Sequence, residues 1–308
     1  METAEEIRRA GVKDDASFSE LNGLLNRCFK RWQPEGERAI RIGAALVGLA
    51  YRGDVARRYA EDYTRPYRSD DEASISVRVA TSDTFPVGMV RDTTLWEGED
   101  RLCVGRWDFF IELDRSSARA RAVVSHEAGF NAVDSAVRVA VASYARPDQC
   151  TLIHGMAAAR EGMGIIGSAP GRGGKSTSAR LLRAQGWRTL CDDLPAIYED
   201  DGTFMLAATP FWSYREEDFV FANFAADRVP LRAVFLLLKG PEVKVERCGR
   251  AQAAAALMRN VMHFDADPSG GVAKFEFISR LAEAVPVFRL WFRRDSLPDT
   301  VILEQMDV

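Results

Sequence analysis

Gly164-Ile-Ile-Gly-Ser-Ala-Pro-Gly-Arg-Gly-Gly-Lys-Ser-Thr177 is the stretch that decides how this chain is read. A short apolar run breaks into a glycine-dense loop and leaves it on Gly174-Lys175-Ser176-Thr177. Small residues are needed there because backbone amides must close around phosphate oxygens, while a lysine neutralises charge and a hydroxyl can ligate Mg²⁺. The pattern predicts a strand, a phosphate-binding loop and a helix. Gly171, Arg172, Gly173, Gly174, Lys175, Ser176 and Thr177 would form the cradle. One position departs from G-x-x-x-x-G-K-[S/T]: the first glycine is Ala169, flanked by Gly167 and Gly171. Alanine fits there if its φ is negative. A glycine-rich turn that merely precedes a helix would need neither Gly-Lys-Ser-Thr at its exit nor an apolar strand before it.

The surrounding chain has 308 residues, 47% of them hydrophobic, enough for a sizeable core in one large domain or two ordinary ones. A net charge of −4 without a basic tract gives no bulk attraction to nucleic acid or to an anionic membrane. Five cysteines, widely spaced and without a C-x-x-C pair, fit reduced cytoplasmic thiols better than a disulfide framework or a zinc site. The acidic start lacks an apolar core and no run is long enough to cross a bilayer. A cytoplasmic protein is therefore expected, with neither nucleic acid nor membrane as partner.

Leu21, Leu24, Leu25, Cys28, Phe29 and Trp32 repeat at helical spacing, which predicts one or two helices over residues 1–33. A β-rich stretch over Ala39–Tyr51, a helix over Asp54–Tyr63 and a strand over Ser74–Ala80 come next. Arg101–Leu113 and Ala118–Ser125 read as two strands joined by a polar turn at Asp114–Ser117. A helix over Asn131–Tyr144 ends before Pro147, the boundary between residues 1–147 and 148–308. Beyond it strand and helix alternate. Thr151–Ala158 is an apolar strand, Lys175–Gln185 a helix stopped by Gly186, and Trp187–Cys191 a strand. Ala233–Leu238 has the continuous apolarity of a strand buried on both faces; Ala251–Met262 is helical and Val285–Trp291 is another strand. The expected fold is α/β, a P-loop domain preceded by a smaller α+β domain. All the chemical motifs fall in the second, which leaves substrate recognition to the first.

A phosphate loop alone implies a nucleotide, not a reaction. In Leu190-Cys191-Asp192-Asp193-Leu194 an apolar strand delivers two carboxylates about seventeen residues after Lys175. In phosphoryl transfer one carboxylate can help to hold Mg²⁺ and another can accept the proton of the attacking hydroxyl. Aspartate is also common where strands end, so the functional reading leans on the loop upstream. His154, in Leu152-Ile153-His154-Gly155, is either a hydrogen-bonded core residue or a group aimed at the terminal phosphate. His126 and His263 have no such context and read as structural or surface residues.

The order of His-Gly, short hairpin, glycine-rich loop with Lys-Ser-Thr, helix and Asp-Asp resembles the HPr kinase/phosphorylase family and its related serine kinases. More distantly it is similar to phosphoenolpyruvate carboxykinases. Ala208-Thr209-Pro210-Phe211 and Val229-Pro-Leu-Arg-Ala-Val-Phe-Leu-Leu237 look like the TPF…PLRAVF stretch of bacterial HPr-kinase-related proteins. The likeness begins near Ile40, with specific motifs between His154 and Leu237. It implies the fold of the HPr kinase C-terminal domain, ATP and Mg²⁺. It also implies Lys175 on the β and γ oxygens, Ser176 on Mg²⁺, Asp192 as general base toward a serine, Asp193 beside the metal and His154 beside the transferred group. The two aspartates could exchange roles. Arg172 departs from the family's small residue, and the arginine-bearing loop of the phosphorylase reaction is not found; Arg215, Arg247 and Arg250 supply no frame for it. Some relatives phosphorylate ribosomally made precursor peptides, so the implied acceptor is a peptide or small protein. A homo-oligomer is also open to the chain.

Two function classes compete. One is an ATP- and Mg²⁺-dependent kinase acting on a serine hydroxyl by direct in-line transfer. The other is a non-catalytic regulatory or assembly protein that uses the nucleotide as a switch. The absence of an N-K-x-D run weakens a GTPase, and the paired aspartates favour the enzyme. A carboxykinase-like enzyme is a third reading, for which the chain is short and lacks the histidine and lysine metal set.

Overall fold

The computed structural model describes residues 15–86, 92–171, 173–212, 227–264 and 269–306. Arg172 and Arg215 lie outside the described residues. The protein is mixed α/β with two sheets. Among the described residues it divides into two units, 15–145 with 263–264 and 269–270, and 146–262 with 271–306.

The first unit contains α1 (Asp15–Phe29), β1 (Gly36–Ile42), β2 (Ala45–Arg52), α2 (Asp54–Arg58), β3 (Arg68–Ser69), β4 (Ile75–Ser82), β5 (Thr94–Glu97), β6 (Arg101–Arg106), β7 (Phe109–Asp114), β8 (Arg119–Ser125) and α3 (Phe130–Tyr144). Among the described residues its eight strands take the order β3-β1-β2-β4-β8-β7-β6-β5, with β2, β4 and β8 mutually parallel. Side-chain alternation puts Ala80, Phe110 and Val123 on one face, where α1 buries Leu21, Leu24 and Leu25 against them. Each fully buried aliphatic side chain of this kind stabilises by about 1.5–3 kcal/mol. Val79, Ile111 and Val124 point to the other face and are also buried, so the sheet is covered on both sides.

Two expectations change here. Arg101–Leu113 is not one strand but the β6–β7 hairpin, turned at Trp107-Asp108 without glycine or proline. Asp108 is fully buried and takes two hydrogen bonds from the Arg106 guanidinium, each 2.7 Å, which holds the turn. The helix from Asp54 also changes pitch: α2 gives way to wider π-type turns over Tyr59–Tyr63.

The second unit contains β9 (Thr151–Leu152), β10 (Gly155–Arg160), β11 (Met163–Ser168), α4 (Lys175–Arg183), β12 (Arg188–Cys191), β13 (Ala196–Asp200), β14 (Thr203–Ala207), β15 (Arg228–Lys239), β16 (Lys244–Arg247), α5 (Arg250–Met258), α6 (Gly270–Ala284) and β17 (Val287–Phe292). Its strand order among the described residues is β12-β10-β11-β15-β14-β13-β9, with β17 on β15 and β16 on β17. β15 is shared: Val229 and Pro230 pair with β14, and from Leu231 onward the strand lies parallel to β11 and, from Val234, to β17. With parallel partners on both edges, Ala233, Val234 and Phe235 are buried on both faces.

α4 packs Ala179 and Leu182 into the cluster that holds Met156, Ile165, Phe235 and Trp187. Gly186 ends it with φ +88°: its N–H donates to Arg183 at 3.1 Å and that of Trp187 to Leu182 at 3.1 Å, the Schellman pattern that a glycine at this position permits. The expected strand over Thr151–Ala158 is broken at Ile153-His154. There the backbone donors leave the ladder: Ile153 N–H binds the Pro195 carbonyl at 3.2 Å, His154 N–H that of Asn260 at 2.7 Å, and Gly155 N–H that of Asp193 at 2.9 Å. α5 ends at Met258, short of the expected Met262, because Val261 and Met262 turn back to pair with Ile153 and Leu152.

Candidate functional site

The loop of residues 169–174 runs from the end of β11 to the start of α4. Ser168 is buried at its root, where its hydroxyl donates to the His154 carbonyl at 2.7 Å. Ala169 has no positive φ, so its backbone suits an L-residue, and its methyl lies in the same buried cluster as Ile165 and Leu182. That methyl explains the next constraint: a Cβ on Gly173 would come within 2.5 Å of it and within 2.9 Å of the Pro170 carbonyl. Gly174 has φ +103°, and a Cβ there would meet Phe292 Cζ at 2.7 Å. At Gly173 and Gly174 the backbone arch therefore leaves no room for a side chain.

Lys175 closes the arch. Its Nζ donates to the carbonyls of Ala169 at 2.9 Å and Pro170 at 3.3 Å. Burial pushes this amine below the ordinary lysine range, against the opposing pull of Asp193 and then Asp192. The first N–H groups of α4 have no intrahelical acceptor, and the helix places its positive end at the loop. Lys175, Ser176 and Thr177 lie on the wall of a cavity of about 510 Å³ that is also lined by Gly173, Gly174, Asp193, Lys239, Gly240, Phe292 and Arg294. Gly171 lies within this loop, in an exposed turn.

The aspartates follow β12, which pairs with β10 and so lies two strands from β11. Both are buried, Asp193 facing the cavity and Asp192 off its wall. His154 Nδ1 stands 3.5 Å from Asp193 Oδ1, at the outer limit of a hydrogen bond. Three expected groups, Lys175, Ser176 and Asp193, thus share one cavity, with His154 beside Asp193 and Asp192 within electrostatic reach of Lys175.

The turn that carries the acids is held by residues the sequence did not single out for that task. The Thr209 hydroxyl donates to the Leu194 carbonyl at 2.7 Å and accepts from Phe211 N–H at 3.3 Å, while Cys191 Sγ donates to the Phe211 carbonyl at 3.0 Å. Cys191 is fully buried and its thiol is pushed up to about 12, so it acts as a packing and hydrogen-bonding group and not as a nucleophile. All five cysteines carry free thiols. Lys239, Phe292 and Arg294 were also missed. β11, β15 and β17 are parallel and their carboxyl ends meet at the cavity, which is where open α/β sheets bind ligands. That rule, applied to the strand ends, would have pointed to them.

These residues fit a nucleoside triphosphate and Mg²⁺. The glycine arch, the helix N-terminus and the lysine suit phosphate, and Ser176 with Asp193 offers two oxygen ligands on one wall. Mg²⁺ usually takes one or two protein ligands and completes its shell with phosphate and water, so a third acidic ligand is not required.

Gly174→Ala tests the arch by itself. Positive φ on an L-residue costs on the order of 1–3 kcal/mol, and the new methyl must displace the Phe292 ring. We expect a lower thermal midpoint and weaker ATP binding together. Unchanged values of both would show that the arch is not tightly constrained.

The model of the family described as "SynChlorMet cassette protein ScmC" matches residues 132–293, just over half of the chain. That span includes the loop, the aspartates and Thr209–Phe211. No curated protein matches the chain. Among solved structures, the Hpr(Ser) kinase/phosphatase from Coxiella burnetii aligns at 11% identity and a TM-score of 0.28, over 50% of this chain and 91% of that one. At that TM-score the likeness decides nothing. Among the described residues no helix is long and apolar enough to cross a membrane.

Proposed function

The chain belongs to the family of the SynChlorMet cassette protein ScmC, and from the site that this family match spans we propose that it is an ATP- and Mg²⁺-dependent kinase that phosphorylates a serine on a peptide or small protein. The observation that carries the proposal is the convergence of Lys175, Ser176 and Asp193 on one cavity wall, with His154 3.5 Å from Asp193 and Asp192 within electrostatic reach of Lys175. A bare nucleotide switch needs the lysine and the hydroxyl. It has no need of two buried carboxylates delivered beside them.

In this reading the arch amides and Lys175 hold the phosphates, with Lys175 neutralising charge on the β and γ oxygens. Mg²⁺, held by Ser176 and Asp193, would neutralise the developing charge of transfer. Asp192 takes the serine proton as the hydroxyl attacks the γ-phosphorus in line, and ADP leaves. His154 stands beside Asp193 and steadies the carboxylate. The first unit, with its own covered sheet and none of these groups, serves acceptor recognition.

Calorimetric titration of the full chain with ATP, with and without Mg²⁺, tests the premise. Binding that tightens with Mg²⁺ is expected. The absence of binding in both titrations would exclude the proposal.

A further inference from the structure

We propose that Arg294, with Lys239 beside it on the cavity wall, stabilises the leaving group of the transfer, the β-phosphate that takes up charge as its bond to the γ-phosphorus breaks. This rests on the reading of the site as a kinase, and gives a task to two cations that the phosphate loop does not use.

The cavity wall carries more positive charge than the loop supplies. Among the described residues its charged side chains are Lys175, Lys239 and Arg294 against Asp193. Lys175 Nζ is tied to the carbonyls of Ala169 and Pro170. The side chains of Lys239 and Arg294 are exposed and have no hydrogen bond or ion pair among the described residues. The local turn explains this for Arg294. Arg293 and Ser296 close it through reciprocal backbone bonds of 3.3 Å, and the nearby Asp295 carboxylate is engaged by the Arg293 guanidinium through two bonds of 3.1 Å. Arg294 thus keeps its full charge and its planar fork for a ligand in the cavity.

Sheet order sets the direction in which these cations act. β10 runs antiparallel to both β11 and β12, so β12, β11, β15 and β17 all end on the same edge of the sheet. Their ends follow one another in that order. The aspartates follow β12, the phosphate loop follows β11, Lys239 ends β15 and Arg294 lies just past β17. The loop therefore stands between the acids and the two cations. In-line transfer puts the attacking and leaving oxygens on opposite sides of the phosphorus. With Asp192 taking the serine proton on the β12 side, the leaving oxygen faces Lys239 and Arg294. There the bond from serine Oγ to the γ-phosphorus forms while the bond from that phosphorus to the bridging oxygen breaks. The electron pair stays on the bridging oxygen, the serine proton goes to Asp192, and ADP departs. A guanidinium that meets the β-phosphate oxygens gains strength as their charge grows, so it lowers the barrier more than it tightens ATP.

The test uses the full chain and its variants Arg294→Ala and Arg294→Lys, with thermal unfolding as the check on folding. Single-turnover transfer from saturating γ-labelled ATP with Mg²⁺ to a library of serine-containing peptides gives the rate, and calorimetry gives the affinities for ATP and ADP. Arg294→Ala should slow transfer on the order of 10²–10³-fold while ATP binding weakens by no more than about threefold. ADP carries on its β-phosphate the charge that develops during transfer, so its binding should weaken by about tenfold. Arg294→Lys should recover part of the rate, because the charge returns without the fork. A wild-type rate in Arg294→Ala, or equal weakening of ATP and ADP with the saturated rate unchanged, would overturn the leaving-group role while the kinase stands. A wild type that binds ATP and labels no serine removes the kinase reading and this role with it.

Discussion

Replacing Lys175 with alanine is expected to remove measurable ATP binding at micromolar concentrations while the protein remains folded. Charge-assisted hydrogen bonds contribute about 1.5–3 kcal/mol each, so losing the lysine's contact with the phosphates costs roughly 10- to 150-fold in Kd. The cost to folding is smaller because two effects oppose each other. Nζ loses its bonds to the carbonyls of Ala169 and Pro170. The chain is also relieved of a partly desolvated amine, the same burial that pushes its pKa down. The thermal midpoint should therefore move little. Calorimetry and thermal unfolding on the same preparation separate the two outcomes, and wild-type ATP affinity in the variant would remove the phosphate loop from the account.

Asp192→Asn and Asp193→Asn should separate proton acceptance from metal binding. Asparagine cannot take the serine proton, so Asp192→Asn should bind ATP and Mg²⁺ normally and transfer phosphate about 10²–10⁴-fold more slowly. Asp193 lies on the cavity wall with Ser176, and its variant should weaken Mg²⁺ and recover part of its rate at high Mg²⁺. Single-turnover transfer across a Mg²⁺ series measures both. If the rescue appears in Asp192→Asn instead, the two carboxylates exchange roles. If Asp192→Asn transfers at the wild-type rate, it is not the base.

The loop could be read from the sequence because its demands are local: glycine where φ is positive or where backbone lies too close for a Cβ, and lysine at the exit. Even its departure has a local basis, since the Ala169 methyl occupies the space that Gly173 leaves open. The aspartates could be read as a pair but not as buried, because Thr209 and Phe211, which hold their turn, lie nearly twenty residues further on. His154 looked like part of a strand because the apolar run continues through it. What breaks the strand is a set of carbonyls on Asn260, Pro195 and Asp193, and no local pattern reveals those. The β6–β7 turn was hidden for a related reason, as Trp107-Asp108 carries no turn signal and Asp108 is buried against Arg106. Lys239 and Arg294 needed one further fact, that β11, β15 and β17 are parallel neighbours.

The central claim is phosphoryl transfer from ATP to a serine hydroxyl. Its most direct test is incubation of the full chain with γ-labelled ATP, Mg²⁺ and a library of serine-containing peptides, followed by identification of the labelled residue. The account predicts phosphoserine on a subset of peptides with the wild type and a loss of about 10²–10⁴-fold with Asp192→Asn. A wild type that binds ATP and Mg²⁺ yet labels no serine anywhere in the library would contradict it and leave the nucleotide switch as the function of this site.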